Sequence, residues 1–200
     1  MELIDAFQDK LILDCGAGYR DTFHANVINY EIVDYPSTDV LGIGEKLPFK
    51  SGSLDAVMSF AVLEHVRDPF ACAREIIRVL KPGGTLYITV PFLQPFHGYP
   101  DHYYNMTSSG LKNLFARDLE ILDCGVPFYG VPIISLNWFL KSYVKGLPPE
   151  AADHFKSLKI GELLGGIDAL LTQDYNKALS PAVIEELASV NYLVARKPDR

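Results

Sequence analysis

Two stretches of the chain carry side chains whose types and spacing could do chemistry. In LILDCGAGYR, Leu11 to Arg20, three aliphatic residues run into Asp14, and Gly16 and Gly18 follow one residue apart. A strand ending in Gly-x-Gly places a ligand at the carboxyl edge of a sheet, where glycine permits positive φ and close approach of backbone N–H groups. Taken alone, the same residues also read as a tight turn capped by Asp14. The second stretch is HGYPDHYYNMT, His97 to Thr107. Its His97, Asp101, His102 and Tyr103 can all hydrogen-bond, and histidine titrates near neutrality, so a general base is available there. The bland alternative is a rigid loop whose polar groups satisfy one another and whose Thr107 caps the next helix. Glu64-His65 in LEHV also invites a catalytic reading, but adjacent residues on a helix face different ways. His65, His97, His102 and His154 lack a recognisable ligand spacing, so no metal is assigned.

The glycine loop discriminates between cofactors. A dinucleotide site wants a third Gly or Ala three residues after the second glycine, opening a helix whose N-terminus faces the pyrophosphate. That position holds Asp21, a carboxylate that would repel it, and the connection from Tyr19 to Asn29 has room only for a stunted helix. NAD is disfavoured on both counts. S-adenosylmethionine has no phosphates; its site needs one acid near the methionine ammonium and another near the ribose hydroxyls. Asp14 suits the first role and Asp34, read as the end of the second strand, suits the second, although Asp34 alone would also suit NAD.

The elements that must position these residues alternate through the first half of the chain. KLILD, YEIVDY, DVLGI, LDAVMSF and TLYITVPF read as buried strands, LEILDCG and NYLVARK as two more. Asp68 and Pro69 open a helix that places Phe70, Ala73, Ile77 and Leu80 on one face and stops at KPGG, Lys81 to Gly84. A second helix spans roughly Ser108 to Arg117. The expectation is one α/β domain over residues 1–200, with a Rossmann-like, doubly wound, mostly parallel seven-stranded sheet and helices on both faces. Residues 126–189 read as a helical insertion before the last strand, with apolar positions in IISLNWFLKSYV, IGELLGGIDALL and PAVIEELASV and a start signal at Ser180-Pro181. PIISLNWFLKSYV is apolar and aromatic enough for a substrate lid or a membrane-surface helix, with core or homodimer packing as the expected role.

A formal net charge of -7 with scattered basic residues argues against a nucleic-acid groove. Cys15, Cys72 and Cys124 form no CxxC pair, so neither a disulfide framework nor a thiolate zinc site is indicated, and a cytoplasmic setting fits. No apolar run approaches the roughly 20 residues that span a bilayer, and the N-terminus does not read as a secretory signal.

The segments LDCGAGYR, VDYP, GEKLPFKSGSLDAVMSFAVLEHVRDPFACAREIIRVLKPGGTLYITVPF and HGYPDHYYNMTSSGLKNLF occur in an order and spacing that resembles the class I S-adenosylmethionine-dependent methyltransferases, specifically the type 11 branch. The resemblance covers roughly residues 10–125 and the last strand. It implies that Asp14, Gly16 and Gly18 form the methionine-side loop, with Tyr19 beside it, that Asp34 binds the ribose, and that Tyr35 lies against the adenine. The family's acid ahead of the Glu45 position is replaced here by Ile43, which leaves backbone groups of Gly44 and Glu45 for the adenine amine. Phe60, closing the fourth strand, reads equally as core or as an aromatic face toward the sulfonium. Where similar members read P-x-D-Y-x-R-x-T, this chain has His102 for the acid and Asn105 for the arginine.

The expected function is S-adenosylmethionine-dependent methylation of a small-molecule acceptor, with an oxygen as the favoured nucleophile and His97 as the preferred base among His97, Asp101, His102 and Tyr103. The alternative is a methyltransferase-like binding or regulatory protein that has lost activity, motivated by Ile43, His102, Asn105 and the stunted first helix.

Overall fold

The structure, a computed structural model, describes residues 4, 7, 9–98, 101–149, 152–153, 166–172 and 189–198. Its strands are β1 (Ile12–Cys15), β2 (Val27–Glu31), β3 (Val40–Leu41), β4 (Leu54–Phe60), β5 (Leu80–Pro91), β6 (Glu120–Gly125) and β7 (Val190–Arg196). They form one seven-stranded sheet in the order β3-β2-β1-β4-β5-β7-β6. β1 pairs in parallel with β2 and β4, β2 with β3, and β4 with β5, while β6 and β7 are antiparallel. The sheet is therefore the mostly parallel, Rossmann-like one that the sequence implies. Strand order runs outward from β1 to β3 and resumes with β4 on the opposite side of β1. The crevice outside the carboxyl ends of β1 and β4 is the topological switch point, where open α/β sheets bind ligands.

The chain divides into two compact units, Met1–Val90 with Gly98–Gly125 and Tyr192–Arg200, and Pro91–His97 with Val126–Asn191. In the first unit, alternation along the strands separates two apolar sets. Leu13, Cys15, Val57, Leu86 and Ile88 point into a core shared with α1 (Pro69–Val79) and α2 (Ser108–Phe115). Ile12, Ala56 and Met58 belong to a smaller cluster on the other face, with Ile4, Phe7, Val27 and Phe60 against it. Burial of each large aliphatic side chain contributes about 1.5–3 kcal/mol.

The helix caps follow the sequence. Asp68 accepts a 2.9 Å hydrogen bond from the Ala71 N–H and Pro69 opens α1; the Thr107 hydroxyl accepts from the Gly110 N–H at 3.1 Å and opens α2. The buried face of α1 is rotated from the expected one. Cys72, Ala73, Ile76 and Val79 are buried, whereas Phe70 is 51% exposed. Ala73 and Leu80 are buried as expected, while Cys72, Ile76 and Val79 take the inward places expected of Phe70 and Ile77, a phase that helical spacing also fits.

Three expectations are corrected. The first parallel connection, from Gly16 to Asn26, contains no helix at all. β2 ends at Glu31 rather than Asp34: the Glu31 carboxylate accepts from the N–H groups of Ile32 (2.8 Å) and Val33 (3.3 Å), turning the chain out of the sheet and leaving both apolar side chains exposed. KPGG follows the helix end and is itself strand. α1 ends because Leu80 is extended (φ -65, ψ 134), and the Gly83 N–H and Gly84 carbonyl then exchange hydrogen bonds with Lys197 just past β7.

The second unit's described residues include a 3-10 turn (Phe128–Gly130), α3 (Pro132–Lys145) and α4 (Ile167–Leu171). Gly130 sits against the Val190 carbonyl, 2.9 Å from where a Cβ would be, so a side chain there would displace backbone. α3 buries Ile133, Ser135 and Asn137 and exposes Leu136 and Phe139. The helix expected at PAVIEELASV with its Ser180-Pro181 start lies outside the described residues up to residue 188, and its last residue, Val190, opens β7; the first half of IGELLGGIDALL also lies outside them.

Candidate functional site

At the switch point, β1 delivers Asp14 to the face of the sheet that carries Ile12. Asp14 is 1% exposed and lines a cavity of about 250 Å³ together with Arg20, Asn29, Met58 and Phe60. Its Oδ2 accepts from Arg20 Nε (3.0 Å) and Nη2 (2.7 Å), while its Oδ1 is buried with no hydrogen-bond partner. Burial pushes the Asp14 carboxyl above the usual carboxylate range, and Arg20 opposes that shift. The neighbouring Cys15 thiol is pushed up to about 12 by burial, which makes it an inert core residue.

Both loop glycines have positive φ, +78° at Gly16 and +63° at Gly18. At Gly16 an added Cβ would lie 2.2 Å from Val62 Cγ2; at Gly18 the space is open. Without a crossover helix, this loop is fixed by the turn after β2. The N–H groups of Gly16 and Ala17 donate to the Tyr30 carbonyl, Gly18 N–H donates to Glu31 Oε2 at 2.6 Å, and Arg20 N–H to the buried Ser37 hydroxyl at 2.9 Å. Tyr19 and Tyr35 meet edge to face at 6.3 Å between ring centres.

Glu31, not Asp34, is the acid at the end of β2, directly beside the glycine loop. Asp34 is exposed in the turn three residues farther on. Sequence reasoning missed Glu31 because VINYEIVDY has no polar break to mark the strand end; the four-residue length of β1 and its pairing to Val27–Tyr30 are the signal that locates it. After β3, Gly44 leaves 2.9 Å between a would-be Cβ and Cys72 Sγ, and the Tyr30 hydroxyl donates to the Ile43 carbonyl at 2.8 Å. Gly44 and Glu45 are half-buried in this loop, whereas Ile32 and Ile43 are 61% and 49% exposed just beyond the ends of β2 and β3. Phe60 lines the cavity and also packs on the Ile12 cluster, its ring 5.5 Å from Tyr87.

The loop after β5 is pinned to the LEHV turn. The Glu64 carbonyl accepts from the N–H groups of Tyr103 and Tyr104, and His65 Nδ1 lies 2.7 Å from the Asp101 carbonyl. Gly98, at φ +91°, admits the His65 ring, which would sit 2.2 Å from a Cβ there. Tyr103 donates to Asp101 Oδ2 (2.7 Å) and accepts from Arg67 Nε (2.8 Å); His102 Nε2 is paired with Asn105 Oδ1 at 2.8 Å. Asp101 and Tyr103 thus share one network and His102 sits in another. His97 belongs to the second unit, where Nδ1 faces the Pro95 carbonyl at 2.9 Å and the ring lies 5.1 Å from Trp138. Burial raises the Glu64 carboxyl to about 8, so LEHV contains a largely protonated acid at neutral pH.

A methyltransferase-domain family profile matches residues 15–88, the segment running from the glycine loop through β4 and α1 into β5. A probable S-adenosylmethionine-dependent methyltransferase of Mycolicibacterium smegmatis is 32% identical over 153 residues, which cover 66% of this chain and 60% of that protein. These matches show a methyltransferase domain over residues 15–88 and a similarity to S-adenosylmethionine-dependent methyltransferases. A ubiquinone biosynthesis O-methyltransferase of Xanthomonas campestris is 44% identical over 57 residues, 28% of this chain and 23% of that one. The chain spans less than two thirds of the length of these curated relatives. The solved structure of the YcgJ protein of Bacillus subtilis superimposes with a TM-score of 0.55 at 17% identity, covering 100% of this chain and 97% of that one, and shows the common fold.

The similarity to these enzymes implies S-adenosyl-L-methionine as the methyl-donating cosubstrate. The residues of this methyltransferase domain fit it. Asp14, whose buried Oδ1 has no hydrogen-bond partner, lines the cavity beside a positive-φ glycine loop, and the connection from Gly16 to Asn26 carries no helix whose N-terminus would call for a phosphate.

Proposed function

We propose that this methyltransferase transfers a methyl group from S-adenosyl-L-methionine to a hydroxyl of a small-molecule acceptor. The observation that carries the reading is Asp14: a carboxylate 1% exposed, with one oxygen unpartnered, on a cavity against the face of β1, β2 and β4 that carries Ile12. Although Arg20 pairs with the other oxygen, the unsatisfied Oδ1 calls for a further hydrogen-bond donor such as an ammonium group, because leaving a buried acceptor without one is costly.

Asp14 would receive the methionine ammonium, with the backbone of Gly16 and Gly18 alongside. Glu31 takes the ribose role that the sequence assigned to Asp34, and the exposed Ile32 and Ile43 offer the adenine an apolar edge beside Tyr19 and Tyr35. The backbone of Gly44 and Glu45 remains the candidate partner of the adenine amine. When bound, the cosubstrate supplies an electrophilic methyl on a sulfonium. The protein's own work is alignment and water exclusion, which can contribute up to about 7–11 kcal/mol, and proton removal from the acceptor hydroxyl. His97 is the proposed base, with its Nδ1 2.9 Å from the Pro95 carbonyl. Asp101, Tyr103 and Arg67 hold the loop in shape, and His102, paired with Asn105, is a weaker candidate for the same duty. The short identity to an O-methyltransferase supports oxygen as the nucleophile.

The internal pairing of His102 with Asn105 favours a second reading, a cosubstrate-binding protein without transfer activity. Methyl-labelled S-adenosylmethionine offered with a panel of sugar, phenol and amine acceptors separates the two. Label in a hydroxyl acceptor, lost in His97→Ala with cosubstrate binding retained, supports the enzyme; binding without transfer to any acceptor supports the alternative.

A further inference from the structure

Arg20 stands in the cavity beside Asp14, in a connection that carries no helix. Both Nε and Nη2 converge on a single carboxylate oxygen, Oδ2, at 3.0 and 2.7 Å. The other oxygen, Oδ1, and the Arg20 Nη1 have no hydrogen-bond partner among the described residues. Asp14 is buried and Arg20 is 39% exposed, so the pair presents its negative end inward and its positive end toward solvent. A structural ion pair of this depth would ordinarily use both carboxylate oxygens in the bidentate fork that arginine and carboxylate form. Here one acceptor and one donor are left over, side by side and opposite in charge.

A zwitterionic amino-acid group matches that arrangement without displacing either residue. Its ammonium satisfies the remaining oxygen of Asp14, and its carboxylate takes the remaining N–H groups of Arg20, so that charges alternate through all four groups. Resting on the cosubstrate reading above, we propose that Arg20 is the receptor for the α-carboxylate of the methionine moiety. The Arg20–Asp14 pair then recognises the amino-acid end as a zwitterion rather than as a cation alone. Arg20 is held for this task through its backbone, whose N–H donates to the buried Ser37 hydroxyl, and through Gly18, whose N–H is fixed by Glu31. The pairing also answers how a loop without a crossover helix can present an ordered cationic group: the turn after β2 supplies the anchor that a helix would otherwise give. Arginine suits the site because its planar fork keeps donors for two acceptors at once, which a lysine ammonium on a flexible stem does less well.

Binding of three probes to the folded chain, measured by calorimetry, tests this. S-adenosylhomocysteine carries the full amino-acid group, S-adenosyl-3-thiopropylamine keeps the ammonium and lacks the carboxylate, and 5′-methylthioadenosine lacks both. Arg20→Gln is expected to weaken S-adenosylhomocysteine ten- to hundredfold, the size of a lost charge-assisted contact, while changing the other two less than threefold. Arg20→Lys should recover part of the loss. Retained 5′-methylthioadenosine affinity shows that the variant is folded and its nucleoside site intact. Equal weakening of all three probes, or unchanged S-adenosylhomocysteine affinity, overturns the assignment while leaving the cosubstrate reading standing. If the wild-type chain binds none of the three, the cosubstrate reading itself falls and takes the Arg20 role with it.

Discussion

Replacing Gly16 by alanine perturbs the loop in two separable ways. The residue sits at φ +78°, where an L side chain is strained by about 1–2 kcal/mol, and its new Cβ would lie 2.2 Å from Val62 Cγ2. Ordinary contact is about 3.5–4 Å, so Val62 must move by more than an ångström, an overpacking effect of about 1–3 kcal/mol. The sum predicts that Gly16→Ala lowers stability by about 2–5 kcal/mol, read from urea unfolding. Val62→Ala removes Cγ1 and Cγ2, leaving only its Cβ, at 3.2 Å. In the double variant the overlap is therefore relieved and the φ strain is not, so the two changes should couple favourably by about 1–3 kcal/mol. S-adenosylhomocysteine affinity should fall in the single variant and recover only partly in the double one. A Gly16→Ala variant within about 0.5 kcal/mol of the wild type, or a double variant with no coupling, would refute the claim that this glycine is demanded by both backbone and Val62.

Glu31→Gln should weaken S-adenosylhomocysteine by tenfold or more and Asp34→Asn by less than threefold in the same calorimetric assay; the reverse ranking would restore Asp34 to the ribose. Arg78 donates to the carbonyls of Leu47 (2.9 Å) and Phe49 (2.8 Å) and is paired with Glu75, so Arg78→Met should lower unfolding stability by about 2–3 kcal/mol through the LPF loop. Glu64 sets a pH dependence. Its folded pKa, about 8, lies above the ordinary 4.5, so the folded state holds the proton more tightly and stability falls as pH rises between those values. Glu64→Gln should therefore flatten that decline, gaining melting temperature relative to the wild type at pH 8 and little at pH 5; an equal gain at both would contradict the burial argument.

How far the sequence could be read depended on whether a local signal faced competition. β1 and β4 are short apolar runs with turn residues at both ends, and Asp68-Pro69 and Thr107 are caps whose chemistry is local, so they emerged in place. β2 did not, because apolar residues continue past its end and the stop is made by Glu31 accepting its neighbours' N–H groups, a contact that pairing with β1 sets up. The acid–glycine loop was legible as a cofactor edge, yet its missing helix and its tie to Ser37 depend on a tertiary contact between two turns. Arg20 carried no sequence signal, since nothing in its spacing from Asp14 says that both nitrogens converge on one oxygen. Asp101, His102 and Tyr103 were legible as polar groups in one loop; that Tyr103 bridges Asp101 and Arg67 required LEHV to be folded beneath them.

The central claim is that this switch-point edge holds S-adenosylmethionine and not a dinucleotide. Parallel calorimetric titrations of the wild-type chain with S-adenosylhomocysteine and with NAD test it most directly. Saturable one-to-one binding of S-adenosylhomocysteine, weakened in Glu31→Gln, with no heat from NAD, is the predicted result. Binding of NAD without S-adenosylhomocysteine would contradict it.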